Sequence, residues 1–167
     1  MTHHTSYGTL SNPIPIGIGR VADIASLPTP VLRATLFVQR GDSFELVFRA
    51  YREVCLFHGG CAPRGCACDF DYPYGTGSGI QILTGFQGAA AIRKAIDFPQ
   101  VSVLTVDVDQ TGAGSPTRGI IRVTADPTAT RVFPEFGVWD LEINDGTDQL
   151  RKTLMEGPMV LNRDVLI

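Results

Sequence analysis

The residues best equipped for chemistry sit in one stretch. Cys55, Cys61, Cys66 and Cys68 are the only four cysteines of the chain, with His58 and Asp69 close by. Thiolates and an imidazole can hold zinc tetrahedrally or carry an iron–sulfur cluster, and such a centre would cross-link a glycine-rich loop too small for a core of its own. The pattern C-x5-C-x4-C-x-C, with His58 as an alternate ligand, lacks the paired C-x2-C knuckles of a zinc ribbon, and Cys66 and Cys68 stand close for chelation. Three states stay open: structural zinc or an iron–sulfur cluster, disulfides, and free buried thiols. A reducing cytoplasm disfavours the disulfides. A catalytic thiol would need a base and a group to orient it; His58 could be the base, but no third member is identifiable.

The acidic residues form a second candidate group. Asp107, Asp109, Asp140, Glu142, Asp145 and Asp148 could in principle supply calcium ligands or a carboxylate pair. Alternation in Val101 to Asp109 instead leaves Asp107 and Asp109 on a polar strand face, where solvated charges are ordinary. Gly17-Ile18-Gly19-Arg20-Val21-Ala22 matches the letters of a dinucleotide fingerprint, yet Pro13 and Pro15 argue against the strand that must precede it. Gly75, Gly77 and Gly79 lack a P-loop lysine. Trp139, the single tryptophan, follows Gly137-Val138 on an expected core strand, so burial is its simplest use. No catalytic residue and no cofactor-binding residue beyond the cysteine group emerges.

The elements that would position these residues are short strands. Among 167 residues, 44% are hydrophobic and 19% charged, which fits one folded domain with extended appendages. Residues 1–32 carry Pro13, Pro15, Pro28 and Pro30 and read as an extended arm. Ile14, Ile16, Ile18, Val21 and Ile24 make this arm too apolar to stay solvated, so it should pack on a surface, a neighbouring subunit being a good candidate. From residue 33 to 167 the pattern is that of an antiparallel β-sandwich. Leu36 to Gln39 and Ser43 to Ala50 flank Gly41-Asp42 like a hairpin. Further strands are expected at Gly88 to Ile96, Val101 to Val108, Gly119 to Ala125, Gly137 to Asn144, Gln149 to Glu156 and Met159 to Leu166. Asn144-Asp145-Gly146-Thr147 signals a tight turn, so the last strands should pair antiparallel. Asp126 to Val132 is the one helical turn, with Asp126 as cap and Pro127 at its first position. Residues 51–79 interrupt the rhythm as a Cys-rich inserted loop.

Net charge is -3 with no long basic run, which excludes the cationic surface that nucleic acid requires. No apolar run is long enough to span a membrane and MTHHTSYGTL has no leader pattern, so synthesis in a cytoplasm is expected.

From Arg40 onward the order of features resembles small phage and prophage proteins of the tail region, related to the N-terminal domain of siphophage baseplate upper proteins. Gly41-Asp42-Ser43-Phe44-Glu45-Leu46 is similar to that family's opening strand. Leu83-Thr84-Gly85-Phe86 followed by Ala89, Ala91 and Ile92-Arg93 is similar to its Leu-Thr-Gly-aromatic turn and next strand. Asp126-Pro127-Thr128-Ala129-Thr130 with Pro134 resembles its short helix, and Trp139-Asp140-Leu141-Glu142 to Leu154-Met155-Glu156-Gly157 its closing hairpin. The arm and the cysteine loop depart from the pattern.

The resemblance implies an immunoglobulin-like sandwich, no enzyme, and a place in a virion assembled in the host cytoplasm. The implied role is tail or baseplate assembly, or fibre attachment, through contacts with other virion structural proteins, as a homo-oligomer in a ring. Capsid decoration, a neck position, and a host-surface carbohydrate module using Phe57, Tyr72 and Tyr74 are the alternatives.

Overall fold

The computed structural model describes residues 4–17, 32–51, 80–146 and 151–162. Within them the chain is all-β: ten strands in one sheet and a single five-residue helix. The strands are β1 (His4–Tyr7), β2 (Ile14–Gly17), β3 (Leu32–Arg33), β4 (Leu36–Gln39), β5 (Ser43–Tyr51), β6 (Gln87–Arg93), β7 (Gln100–Val108), β8 (Ile120–Ala125), β9 (Phe136–Asn144) and β10 (Arg151–Asn162), with α1 (Pro127–Arg131) between β8 and β9.

From one end to the other the order is β1/β2, β5, β8, β7, β6, β9, β10, β3/β4. β1 and β2 lie in line along β5, parallel to it, and β3 and β4 lie in line along β10, also parallel. All pairings between the other strands are antiparallel. β7 pairs through Gln100 to Leu104 with β6 and through Thr105 to Val108 with β8, so it carries the sheet round a corner.

The core lies inside the curl. Phe44, Leu46 and Phe48 of β5, Ile92 of β6, Leu104 of β7, Ile121 and Val123 of β8, Trp139 and Leu141 of β9 and Met159 of β10 are all buried in one cluster. The alternation that marked these strands in the sequence is the physical cause, because successive side chains point to opposite faces and only one face is apolar.

Four expectations change. Leu36–Gln39 and Ser43–Tyr51 do not form a hairpin: β4 pairs with β10 and β5 with β8, so Arg40–Asp42 joins the two ends of the sheet. Alternation reports which face is buried, not which strand lies alongside. Gln149 to Glu156 and Met159 to Leu166 are not two strands; β10 runs unbroken through Gly157 and Pro158. The break falls in the neighbour, since β3 ends opposite Glu156 and β4 resumes opposite Met159, so Pro158 has a ladder partner on the β9 side, Val138, and none on the β3/β4 side. A Cβ on Gly157 would strike the Ala34 carbonyl oxygen at this break. Pro15 lies within β2, and two prolines do not abolish pairing, because β2 is an edge strand only four residues long. The arm finds its surface on its own chain over residues 4–17: Ile16 is 1% exposed in the core.

The helix forms as its sequence dictates. Asp126 Oδ1 accepts from the Ala129 N–H at 2.7 Å and Pro127 occupies the first turn. The closing pair also holds: β9 and β10 are antiparallel, and the Gly146 N–H donates to Asn144 Oδ1 at 2.8 Å.

Candidate functional site

Cys55, His58, Cys61, Cys66, Cys68 and Asp69 lie outside the described residues, as do Phe57, Tyr72, Tyr74 and the three glycines Gly75, Gly77 and Gly79. The structure does fix where their segment leaves and re-enters the fold. Tyr51, the last residue of β5, forms an antiparallel bridge with Ile80, and the Gln81 N–H donates to the Ala50 carbonyl at 2.9 Å. The two ends of the insertion are therefore side by side.

The acids are not brought together. Asp140 pairs with Arg93 and Glu142 with Arg151, the latter at 3.2 Å, both across strands on the outer face of β9. Asp107 lies two strands away on β7, in register with Arg122, and Asp109 accepts from the Thr111 N–H at 3.3 Å. Asp148 lies outside the described residues. No group of three His, Cys, Asp or Glu side chains that could hold a metal occurs among the described residues. Two further ion pairs, Arg122 with Glu45 at 3.2 Å and Arg33 with Glu156 at 3.3 Å, are also cross-strand contacts. Surface pairs of this kind add up to about 1 kcal/mol each.

The Leu83-Thr84-Gly85-Phe86 turn is a structural clamp. Phe86 donates to the Leu83 carbonyl at 2.9 Å, and the Gln110 side chain accepts from the Gly85 N–H at 2.8 Å. The Gln110 amide nitrogen donates to the carbonyls of Phe86 at 2.9 Å and Val108 at 3.0 Å. An open hollow of about 330 Å³ lies over this clamp, lined by Phe86, Gln87, Gly88, Val106, Val108 and Gln110. Both N–H donors of the Gln110 amide are engaged with backbone carbonyls, so it has no donor left to turn toward a ligand. Neither the turn nor Gln110 was singled out by the sequence as a polar device, because a glutamine's backbone contacts follow from long-range register.

Trp139 is 2% exposed, and its indole N–H donates to the Ala34 carbonyl at 2.9 Å. It is a core residue.

The exposed apolar side chains of the described residues are unevenly placed. At the end of the sheet where β5, β7 and β9 begin, Val160 of β10 lies in register between Phe37 of β4 and Phe136 of β9. Phe37 and Phe136 are exposed and Val160 is half-buried. Surface of this composition contacts protein more readily than it performs reactions. Compared with known proteins, the chain matches no protein-family model and no curated protein.

Proposed function

We propose that this chain is a non-enzymatic structural protein of a bacteriophage virion, a tail or baseplate assembly module acting through protein contacts. The observation that carries the reading is the use made of the first 39 residues: four short segments, β1 to β4, each added in parallel along a strand of the sheet. Addition of an extended segment to a sheet edge supplies main-chain hydrogen bonds irrespective of which chain provides it. The same ladder therefore works between copies, and an arm that pairs with its neighbour's edge builds a ring of identical subunits. Ladder contacts need no catalytic group.

The sheet itself is read as an immunoglobulin-like sandwich drawn into one continuous curl. Supporting this, β7 divides its pairing between β6 and β8 and so separates a β1/β2–β5–β8 half from a β6–β9–β10–β3/β4 half. The resemblance of Asp126 to Thr130 to the family's short helix is matched by α1 between β8 and β9. Cys55, Cys61, Cys66 and Cys68, with His58 as alternate, are proposed to hold a structural zinc or iron–sulfur centre in the insertion.

Immunogold electron microscopy of intact virions tests the location. Gold at the tail end supports the baseplate reading. Gold on the head replaces it with a capsid-decoration role, gold at the junction of head and tail with a neck role, and unlabelled particles exclude a virion position and favour the free carbohydrate-binding module.

A further inference from the structure

Exposed large apolar side chains are not scattered over the described residues. Among the described residues eight large hydrophobic side chains are exposed, and six of them lie at one end of the sheet. Ile96 and Phe98 occupy the turn between β6 and β7, and Val101 stands near the start of β7. Val132 follows α1, Phe136 opens β9, and Phe37 lies across Val160 from it. Ile96 is 80% exposed, Phe136 72% and Val132 63%, values ordinarily found for charged side chains. With 150–250 Å² for a large aromatic, the six leave on the order of 500 Å² of apolar surface to water, near the upper bound for a monomer's largest patch. That is most of what one partner contributes to a standard interface of about 800 Å² a side.

We infer that this rim is the contact between two copies of the chain, packed end to end about a two-fold axis. Two observations choose the occupant. A head-to-tail contact would need a second apolar surface elsewhere on the molecule, and the only other exposed large hydrophobics among the described residues are Leu10, beside the β1–β2 link, and Ile82, beside the base of the insertion. Two isolated residues do not match six clustered ones, so among the described residues the surface that best complements the rim is the rim itself, the defining property of an isologous interface. The exposed charges are also self-complementary: Lys94 stands three residues from Asp97, and Arg131 four from Glu135. Each copy therefore brings both signs of charge to the contact, at a rim with little net charge.

The pairing does not rest on a place in a virion. Within a ring it would join two rings face to face, using surface that lateral arm contacts leave unused.

Sedimentation equilibrium of the full-length chain from roughly 1 to 100 μM tests it, since an interface of this size class dissociates in or below that range. The wild-type protein is expected to contain an even number of copies. The double substitution Ile96→Ser and Phe136→Ser should halve the mass, raise the dissociation constant at least about tenfold, and leave the circular-dichroism spectrum unchanged. Leu10→Ser with Ile82→Ser should alter neither. A monomeric wild-type protein, or a mass that the rim substitutions do not change, overturns the inference whether or not virions carry the protein.

Discussion

The indole of Trp139 reaches from β9 across β10 to the Ala34 carbonyl, at the point where the segment leading from β3 to β4 leaves the ladder. This part-buried carbonyl carries a desolvation cost when it loses the indole donor, so Trp139→Phe should destabilise the fold by about 1–3 kcal/mol beyond any packing loss. Urea unfolding measures this, and the transition slope should stay unchanged. Thr130 has a comparable role. Its hydroxyl accepts from the Gly41 N–H at 3.1 Å and donates to the Asp42 carbonyl at 2.8 Å, which pins α1 to the turn that joins the sheet's two ends. Thr130→Val keeps the shape and removes both bonds; a loss of about 1–3 kcal/mol is expected, and a thermal midpoint equal to wild type would show that the helix does not hold this turn.

Among the elements, β1 and β2 are the least expected, because prolines obscure them. Deleting residues 1–17 would uncover the edge of β5 and take Ile16 out of the core. Removing one buried isoleucine costs about 2–5 kcal/mol, and a bare strand edge invites aggregation. The truncated chain should therefore show a lowered unfolding midpoint and light scattering at concentrations where the intact chain is clear. If it stays soluble and equally stable, these segments act only between subunits. The strands from β4 to β9 were legible as strands because alternating apolar residues reveal a half-buried face. Their partners were not legible. Gly41-Asp42 looks like a hairpin turn in either setting, and only the pairing of Met159 to Asn162 with Leu36 to Gln39 shows that it bridges the sheet ends instead. Gly157-Pro158 looks like a strand break, and nothing local reveals that the interruption belongs to the neighbouring strand. Helix α1 was readable almost in full, since its cap, its proline and its length are all encoded within a few consecutive residues.

On the scale of the whole molecule, the two ends of the sheet differ. The rim of exposed apolar side chains lies where β5 begins; the base of the Cys-rich insertion lies where β5 ends. The cysteines were visible in the sequence, but ligand geometry within 52–79 is beyond what spacing specifies. Protein purified without chelators should carry about one equivalent of zinc, or the iron of one cluster, per chain. Less than about 0.2 equivalents of both would remove the metal centre.

Tyr51 and Ile80 already face each other as bridge partners, so a replacement for 52–79 needs to span only that bridge. The position is a natural port for grafting. Replacing 52–79 by Asn-Gly should give a minimal scaffold of unchanged cooperativity. Inserting an epitope or an affinity peptide there would place it at the end of the sheet remote from the apolar rim.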